Sequence, residues 1–298
     1  MRLCNPVFSE NYNLKPKTQD PRQALSYGSR LNPLTTFMIE FHNVTRSYGR
    51  KLALDGLELT VKPGELFALL GPNGAGKTTA IKLLTGLLRP DSGSIAVCGH
   101  DLSRDVRKAT HAMGYVPDLP FLYDKLSGRE FLQFAVEIRG VESAEAAAAI
   151  ERETKNFELA DFLDSLIETY SHGMKQRLTF ASALLHTPRV LVIDEPMVGL
   201  DPRSVRMVKD LLRRHAAAGM TIFMSTHTLA VAEEIADRIG ILDGGRLEFL
   251  GTLAELQQEL SSHHTSLEAL FLQLTEGSEG EESAGSRETE VGSRKSEG

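Results

Sequence analysis

The chain contains a nine-residue segment, residues 71–79, whose composition suits the binding of a phosphate chain. Its three glycines let backbone N–H groups wrap around phosphate oxygens without interference from side chains. Lys77 can reach the β- and γ-phosphates, and the hydroxyl of Thr78 can bind Mg²⁺. An apolar run precedes the segment and a helical pattern follows it, so the loop would open a helix whose N-terminus attracts anions. The predicted phosphate-binding residues are Gly71, Pro72, Asn73, Gly74, Ala75, Gly76, Lys77, Thr78 and Thr79.

A pair of carboxylates, Asp194 and Glu195, lies at the end of the apolar run RVLVIDE. Ligands collect at the carboxyl ends of strands in open α/β sheets, so this pair is expected beside the phosphate loop. We predict that Asp194 binds Mg²⁺ and that Glu195 polarises the water that attacks the γ-phosphate. The two motifs together predict a P-loop NTPase. The Asn-Lys-x-Asp motif of a GTPase is absent from the sequence, and a small-molecule kinase would not need the glutamate.

Three nearly continuous apolar runs, at residues 65–70, 189–194 and 221–226, are typical of strands buried on both faces of a parallel sheet. A helix-rich block at about residues 120–185 lies between the first two runs and is too long for a single crossover helix. We therefore expect an α/β fold with a P-loop NTPase core. Its sheet would be mostly parallel and flanked by helices, with an antiparallel β part near the N-terminus and an inserted helical subdomain.

Two helices are predicted inside this block. The stretch SGREFLQFAVEI opens with a capping box formed by Ser127 and Glu130, and ESAEAAAAIERE is helical by propensity. Helical periodicity places four apolar residues of the first helix on one face: Phe131, Phe134, Ala135 and Ile138.

The composition is that of one folded domain between two disordered ends. The expected domain covers residues 38–274, because residues 1–37 show no sustained period and residues 275–298 are rich in Gly, Ser and Glu. The middle carries most of the net charge of −7, which argues against a broad nucleic-acid-binding surface. Two cysteines without a disulfide pattern suit a reducing cytosol, and no apolar run is long enough to span a bilayer.

A third motif, YSHGMKQRL, begins at Tyr170, between the phosphate loop and Asp194. The order of phosphate loop, helical insert, Ser-x-Gly helix start and Asp-Glu pair resembles the ATP-binding cassette (ABC) family over about residues 38–250. Of the family's usual Leu-Ser-Gly-Gly-Gln signature, Ser171 and Gly173 are kept. The resemblance implies that two subunits pack head to tail. This helix start would then bind the γ-phosphate of ATP held by the other subunit, since helix N-termini attract anions.

The same resemblance implies roles for three further residues. Tyr48 corresponds to the aromatic residue that stacks on adenine, and Asp201, in GLDP, lies in the loop that communicates between the two sites. His227 follows the strand predicted at 221–226, like the histidine that contacts the γ-phosphate. The expected catalytic residues are therefore Glu195, His227 and Lys77.

Asp118, in GYVPD, departs from the family pattern. The family usually has a glutamine there, which binds Mg²⁺ and the attacking water. A carboxylate still offers oxygens to Mg²⁺, but its side chain is one methylene shorter and charged. The expected cofactors are ATP and Mg²⁺, with Thr78, Asp194 and Asp118 as the metal ligands.

The segments SHGMKQR, LPFLYDKLSGREFL and TSLEALFLQLT resemble the ATPase subunits of ABC-2-type exporters. In the last segment, four apolar residues form one helical stripe: Leu267, Leu270, Phe271 and Leu274. The resemblance implies a subunit that hydrolyses ATP to power a separate multi-spanning membrane permease. It would pair with a second copy of itself or a homologous ATPase subunit, and lie peripherally on the cytoplasmic side of the cell membrane.

The alternative function is that of a soluble ABC ATPase acting on DNA or ribosomes. The DNA-maintenance type needs a long coiled coil between phosphate loop and signature, for which this chain has no room, and the translation type has two cassettes in one chain. We therefore expect no nucleic-acid partner. The sequence does not distinguish an exporter subunit from a regulator of a membrane protein that transports nothing.

Overall fold

The computed structural model describes residues 36–262, with side chains up to residue 259. Ten strands, eight α-helices and a short 3₁₀ helix at Ile167–Thr169 lie in this part of the chain. The strands are β1 (Ile39–Tyr48), β2 (Lys51–Val61), β3 (Leu66–Leu70), β4 (Ser92–Val97), β5 (His100–Asp101), β6 (Met113–Val116), β7 (Val190–Asp194), β8 (Thr221–Thr226), β9 (Arg238–Asp243) and β10 (Arg246–Gly251). The helices are α1 (Lys77–Leu84), α2 (Val106–His111), α3 (Gly128–Arg139), α4 (Ser143–Asn156), α5 (His172–Leu184), α6 (Pro202–Ala217), α7 (Leu229–Ile235) and α8 (Leu253–Ser262).

Six strands form a mainly parallel sheet in the order β10-β9-β3-β8-β7-β6. The β3–β8, β3–β9, β7–β8 and β6–β7 pairs are parallel, and β9 and β10 are antiparallel. Every residue of β3, β7 and β8 is buried. The prediction of three buried parallel strands is confirmed, because a strand covered on both faces requires apolar residues at successive positions.

A second, antiparallel sheet has the strand order β2-β1-β4-β5 and is formed largely by the N-terminal part of the fold. Side chains of β3 alternate between two hydrophobic cores. Phe67 and Leu69 pack with the antiparallel sheet and α1. Leu66, Ala68 and Leu70 point the other way and pack with the helical insert. The stacked rings of Phe67 and Phe223, 5.5 Å apart, fix the first of these cores. The predicted fold class is thus confirmed.

The helical insert between β6 and β7 consists of α3, α4 and α5. The capping box of α3 is present, since the Glu130 N–H donates to Ser127 Oγ at 3.2 Å and the Ser127 N–H donates to Glu130 Oε2 at 2.8 Å. It stabilises the helix start by pairing two otherwise free N–H groups.

The apolar face predicted for α3 is only partly buried. Phe131 is buried, but Phe134 and Ile138 are 38% and 67% exposed. The inward positions belong instead to Leu132 and Val136. The predicted face is one side of a wider apolar arc that also contains Leu132 and Val136, so helical periodicity alone does not say which side of the arc packs inward.

The predicted disordered ends lie almost wholly outside the described residues, as do the predicted stripe at residues 267–274 and the boundary at residue 274. The domain boundaries therefore stay predictions. Within residues 36–262, no helix has the length and hydropathy needed to cross a membrane.

Candidate functional site

The loop at residues 71–76 leaves the carboxyl end of β3 and leads directly into α1. Gly76 precedes the helix with φ of 110°, in the positive region that favours glycine. A Cβ at Gly76 would lie 2.4 Å from the carbonyl oxygen of Ala53, and a Cβ at Gly71 would lie 2.2 Å from that of Leu242. The loop backbone therefore packs against β2 and β9 so closely that only glycine fits. This leaves backbone N–H groups as the lining of a cradle at a helix N-terminus.

Lys77 is buried at the base of this loop. Its Nζ donates to the carbonyl oxygens of Gly71 at 2.7 Å and Pro72 at 3.0 Å. Burial lowers the pKa of the Lys77 ammonium, and the nearby carboxylates of Glu195 and Asp194 act in the opposite direction. The loop thus holds a cation in place, with neutral acceptors that an anion could replace.

Asp194 ends β7 and is also buried. Ser225, on the adjacent strand β8, donates from its Oγ to Asp194 Oδ1 at 2.5 Å. Burial raises the pKa of Asp194, whereas the hydrogen bond from Ser225 lowers it; the charges of Glu195 and Asp118 raise it further, and a hydrogen bond from Thr78 lowers it. Thr78 and Asp194 line the same cleft beside the loop.

Glu195 has the left-handed conformation, with φ of 50°, which is uncommon for a residue other than glycine. Its N–H donates to Ser225 Oγ at 3.2 Å. Its Oε2 lies 3.0 Å from Nδ1 of His227, which follows β8. Strained backbone of this kind persists where surrounding contacts hold it, often at functional sites. The side chains of Glu195 and His227, both predicted to be catalytic, are thereby held together at the carboxyl ends of β7 and β8.

Lys77, Asp194 and Glu195 share a cleft of about 490 Å³, whereas His227 contacts Glu195 without lining the cleft itself. It is lined by Tyr48, Lys51, Ala53, Asn73, Gly74, Gly76, Lys77, Thr78, Thr79, Asp118, Asp194 and Glu195. Gly71, Pro72 and Ala75 are buried and do not line it. Lys51 and Ala53 were not predicted from the sequence. Tyr48 and Lys51 face each other across the β1–β2 turn. A hairpin predicted at this turn would therefore have placed Lys51 beside Tyr48.

Ser171, Gly173 and Asp201 do not line the cleft but form a second group. Ser171 caps α5, with its Oγ accepting from the Met174 N–H at 3.3 Å, and Asp201 caps α6. A Cβ at Gly173 would lie 3.9 Å from Asp201 Oδ2, so the two helix starts are neighbours. The chain therefore presents its predicted site residues at two places.

The fit of the cleft to a nucleotide follows from its donors. Gly-lined backbone N–H groups and Lys77 suit a triphosphate, and the oxygens of Thr78, Asp194 and Asp118 are the hard ligands that Mg²⁺ prefers. No cluster of three or more His, Cys, Asp or Glu side chains able to hold a metal occurs among the described residues. Mg²⁺ commonly takes one or two carboxylates and completes its shell with phosphate oxygens and water.

Comparison with known proteins agrees with this geometry. The profile of the family described as ABC transporter matches residues 54–198. The linearmycin resistance ATP-binding protein LnrL of Bacillus subtilis (strain 168) is 36% identical over 75% of this chain and 72% of its own length. The daunorubicin/doxorubicin resistance ATP-binding protein DrrA of Streptomyces peucetius is 37% identical over 78% of this chain and 71% of its own length.

Solved structures show the same fold. The ATP-binding subunit of an ABC transporter superposes with a TM-score of 0.74 at 33% identity, covering 80% of this chain and 99% of that structure. A dimeric bacterial ABC transporter cassette superposes with a TM-score of 0.67 at 26% identity, covering 72% and 99% of the two chains. The chain therefore belongs to the ABC transporter family, as one of its nucleotide-binding ATPase subunits.

Proposed function

We propose that this protein is the ATP-hydrolysing subunit of a multi-subunit ABC exporter and powers a separate membrane permease. The observation that carries the proposal is the cleft, where a glycine cradle and a buried lysine face the carboxylates of Asp194 and Glu195. Two names among the relatives concern drug resistance, and another relative, from Burkholderia orbicola (strain AU 1054), is named as a Nod factor export protein. These names support export as the direction of transport.

In the proposed mechanism, backbone N–H groups of the loop donate to the phosphate oxygens of ATP. Lys77 exchanges its carbonyl acceptors, Gly71 and Pro72, for phosphate oxygens and neutralises their charge. Glu195 accepts a proton from the attacking water, a contribution of about 10²- to 10⁴-fold in rate for a general base. His227, paired with Glu195, would orient that carboxylate and contact the γ-phosphate.

Mg²⁺, when bound, would neutralise charge developing on the phosphate oxygens. Thr78 and Asp194 are its proposed ligands, together with Asp118. Ser225 would hold Asp194 in position, because its hydroxyl already occupies one carboxylate oxygen. Asp118 lines the cleft just after β6 and would supply a further oxygen.

A second subunit completes the proposed site. Ser171 and Gly173 do not line the cleft of their own chain, and they lie at the N-terminus of α5, which favours an anion. They would contact the γ-phosphate bound to the other subunit, with Asp201 beside them. The dimeric state of the solved bacterial cassette supports such a pair, which would be two copies or this chain with a homologous subunit.

An exposed apolar surface supports a protein partner. It consists of Leu119, Phe121, Tyr123, Phe134 and Ile138, of which Phe121 is 87% exposed. The rings of Tyr123 and Phe134 meet edge to face at 5.5 Å, which joins the 119–123 loop to α3. Large exposed apolar patches mark interaction sites. We propose that the permease covers this surface, which places the subunit peripherally on the cytoplasmic side of the membrane.

The surface is also connected to the cleft by a short stretch of chain. Leu119 directly follows Asp118, a residue that lines the cleft. A change in the position of Asp118 on ATP binding would therefore be passed to the permease contact. The permease, rather than this chain, would select the transported substrate.

Affinity purification from gently solubilised membranes of the native cell tests this function. A multi-spanning protein recovered in stoichiometric amount is the expected result. Phe121→Asp should lose that partner while keeping ATP hydrolysis. Leu87→Asp, a matched control at an exposed leucine outside the apolar surface, should keep both. Recovery only with ribosomes or DNA would contradict the proposed function. A membrane partner that stays bound to the Phe121→Asp variant would contradict the proposed docking surface.

A further inference from the structure

Tyr48 is an exposed aromatic residue whose orientation is set by neighbouring groups. The side chain lies at the end of β1 and is 46% exposed, yet it lines the cleft. An exposed tyrosine on a strand end can adopt several rotamers, so a base-stacking role requires something that fixes the ring. The guanidinium carbon of Arg46 lies 5.3 Å from the centroid of the Tyr48 ring.

Arg46 is itself held by Asp91. Arg46 Nη1 donates to Asp91 Oδ1 at 2.6 Å. The other oxygen, Asp91 Oδ2, accepts from the N–H and the hydroxyl of Ser47, both at 2.7 Å. The carboxylate thus binds the two residues immediately before Tyr48. Among the described residues, the buried Nε of Arg46 has no hydrogen-bond partner, and Asp91 Oδ2 is occupied by Ser47. Arg46 therefore makes a single hydrogen bond to Asp91 instead of a bidentate pair, and its guanidinium lies over the Tyr48 ring.

The geometry points to Arg46 and Asp91 as positioning residues that present Tyr48 to the base of the bound nucleotide. Tyr48 lines the cleft and Arg46 does not, so we assign Arg46 to the ring face that is turned away from the ligand. The other face is left for a flat base. This inference rests on the proposed function, since it names the groups that recognise one part of the same nucleotide.

Asp91 also connects the base-binding part of the cleft to the phosphate loop. The residue lies in the connection between α1, which begins with Lys77, and β4. Its N–H donates to the carbonyl of Thr45 at 2.9 Å, which ties the connection to β1. The distance from the phosphate loop to the Tyr48 ring is therefore constrained through Asp91 as well as through the β1–β2 turn.

A positioning role has a specific consequence for ligand binding. Loss of Arg46 should weaken the binding of ligands that carry a base and leave the binding of a bare phosphate chain unchanged. Stacking on an aromatic side chain and a cation over the opposite ring face both contribute modestly. We expect Arg46→Leu to raise the Kd for Mg-ATP about three- to tenfold. The Kd for magnesium tripolyphosphate should stay within about twofold.

The experiment measures both Kd values by calorimetric titration of the full chain. Tyr48→Leu should raise the Kd for Mg-ATP by about tenfold or more. In the Tyr48→Leu background, Arg46→Leu should add nothing, because a residue that acts through Tyr48 has no effect without it. Arg129→Leu is the matched control, since Arg129 forms an equivalent surface pair with Asp164 at 2.6 Å.

The outcomes separate the two proposals. If Tyr48→Leu leaves the Kd for Mg-ATP unchanged, the proposed role of Tyr48 is wrong. If Tyr48→Leu weakens ATP but Arg46→Leu does not, or weakens ATP and tripolyphosphate alike, the positioning role of Arg46 is overturned while the ATPase assignment stands. Should Arg46→Leu fold poorly, Arg46→Gln and Asp91→Asn carry the test, with the same base-selective loss expected.

Discussion

Replacement of Gly76 by alanine tests the account of the phosphate loop. Two costs are expected. An L-residue at φ of 110° pays backbone strain of about 1–3 kcal/mol. The new Cβ would also lie 2.4 Å from the Ala53 carbonyl oxygen and 3.0 Å from Leu54 Cδ2, so β2 must move. Such overpacking costs about 1–3 kcal/mol more.

Gly74→Ala is the matched control, because it carries the first cost without the second. Gly74 has φ of 83°, but no atom of the described part of the chain lies within 4 Å of a Cβ built there. Strain of about 1–2 kcal/mol is therefore its whole expected effect. For a domain of this size, 1 kcal/mol corresponds to about 2–4 °C in Tm. We expect a loss of about 4 °C for Gly74→Ala and about 10 °C for Gly76→Ala.

Scanning calorimetry without nucleotide measures this difference, since ligand binding would itself stabilise the folded state. A titration with Mg-ATP on the same samples shows whether the cradle still binds. If Gly76→Ala lowers Tm no more than Gly74→Ala does, the close packing of the loop against β2 is not what requires glycine. The geometric argument for the cradle would then be wrong.

Three further perturbations concern the site and one concerns pH. Glu195→Gln should keep ATP binding and lower kcat for phosphate release by about 10²-fold or more, as expected for loss of a general base. Ser171→Arg should abolish hydrolysis while leaving ATP binding to the isolated chain intact, because Ser171 does not line the cleft of its own chain. Ser225→Ala should lower the free energy of unfolding by about 2 kcal/mol, since it removes a hydrogen bond to the buried carboxylate of Asp194. Burial is the main reason that the pKa of His186 falls to about 4, and the charge of Arg139 lowers it further. Between about pH 6.5 and pH 4, the unfolded chain therefore binds a proton at His186 and the folded chain does not. Stability should therefore fall by about 1.4 kcal/mol per pH unit from this group as pH drops from 6.5 towards 4.

Each of these predictions has a control. Glu195→Gln with wild-type turnover would remove Glu195 from the mechanism, and hydrolysis by Ser171→Arg would argue against a site shared between subunits. A Ser225→Thr variant, which keeps the hydroxyl, should recover part of the stability lost in Ser225→Ala. Denaturant unfolding at pH 6.5 and pH 5 should show a smaller difference in His186→Gln than in the native chain. An equal difference would show that His186 does not carry the effect.

Local sequence patterns are sufficient to predict several parts of the fold. A strand that is buried on both faces needs apolar residues at successive positions, so the sequence alone places β3, β7 and β8. The capping box of α3 is a local hydrogen-bonding pattern and is equally predictable. The inward side of α3 is not, because Phe134 and Ile138 are as apolar as the residues that are buried.

The phosphate loop, the carboxylate pair and the helix start at Ser171 can all be read from the amino-acid sequence, because each is a short run of residues whose chemistry depends on immediate neighbours. Which of these motifs share a cleft depends on the three-dimensional fold. It brings His227 to Glu195 and Asp91 to Arg46, and it sets the carbonyls of Ala53 and Leu242 against the loop glycines. These contacts join residues far apart in the chain, and no local pattern specifies them. They arise from the order of strands in the sheet, which is fixed by packing of the whole core.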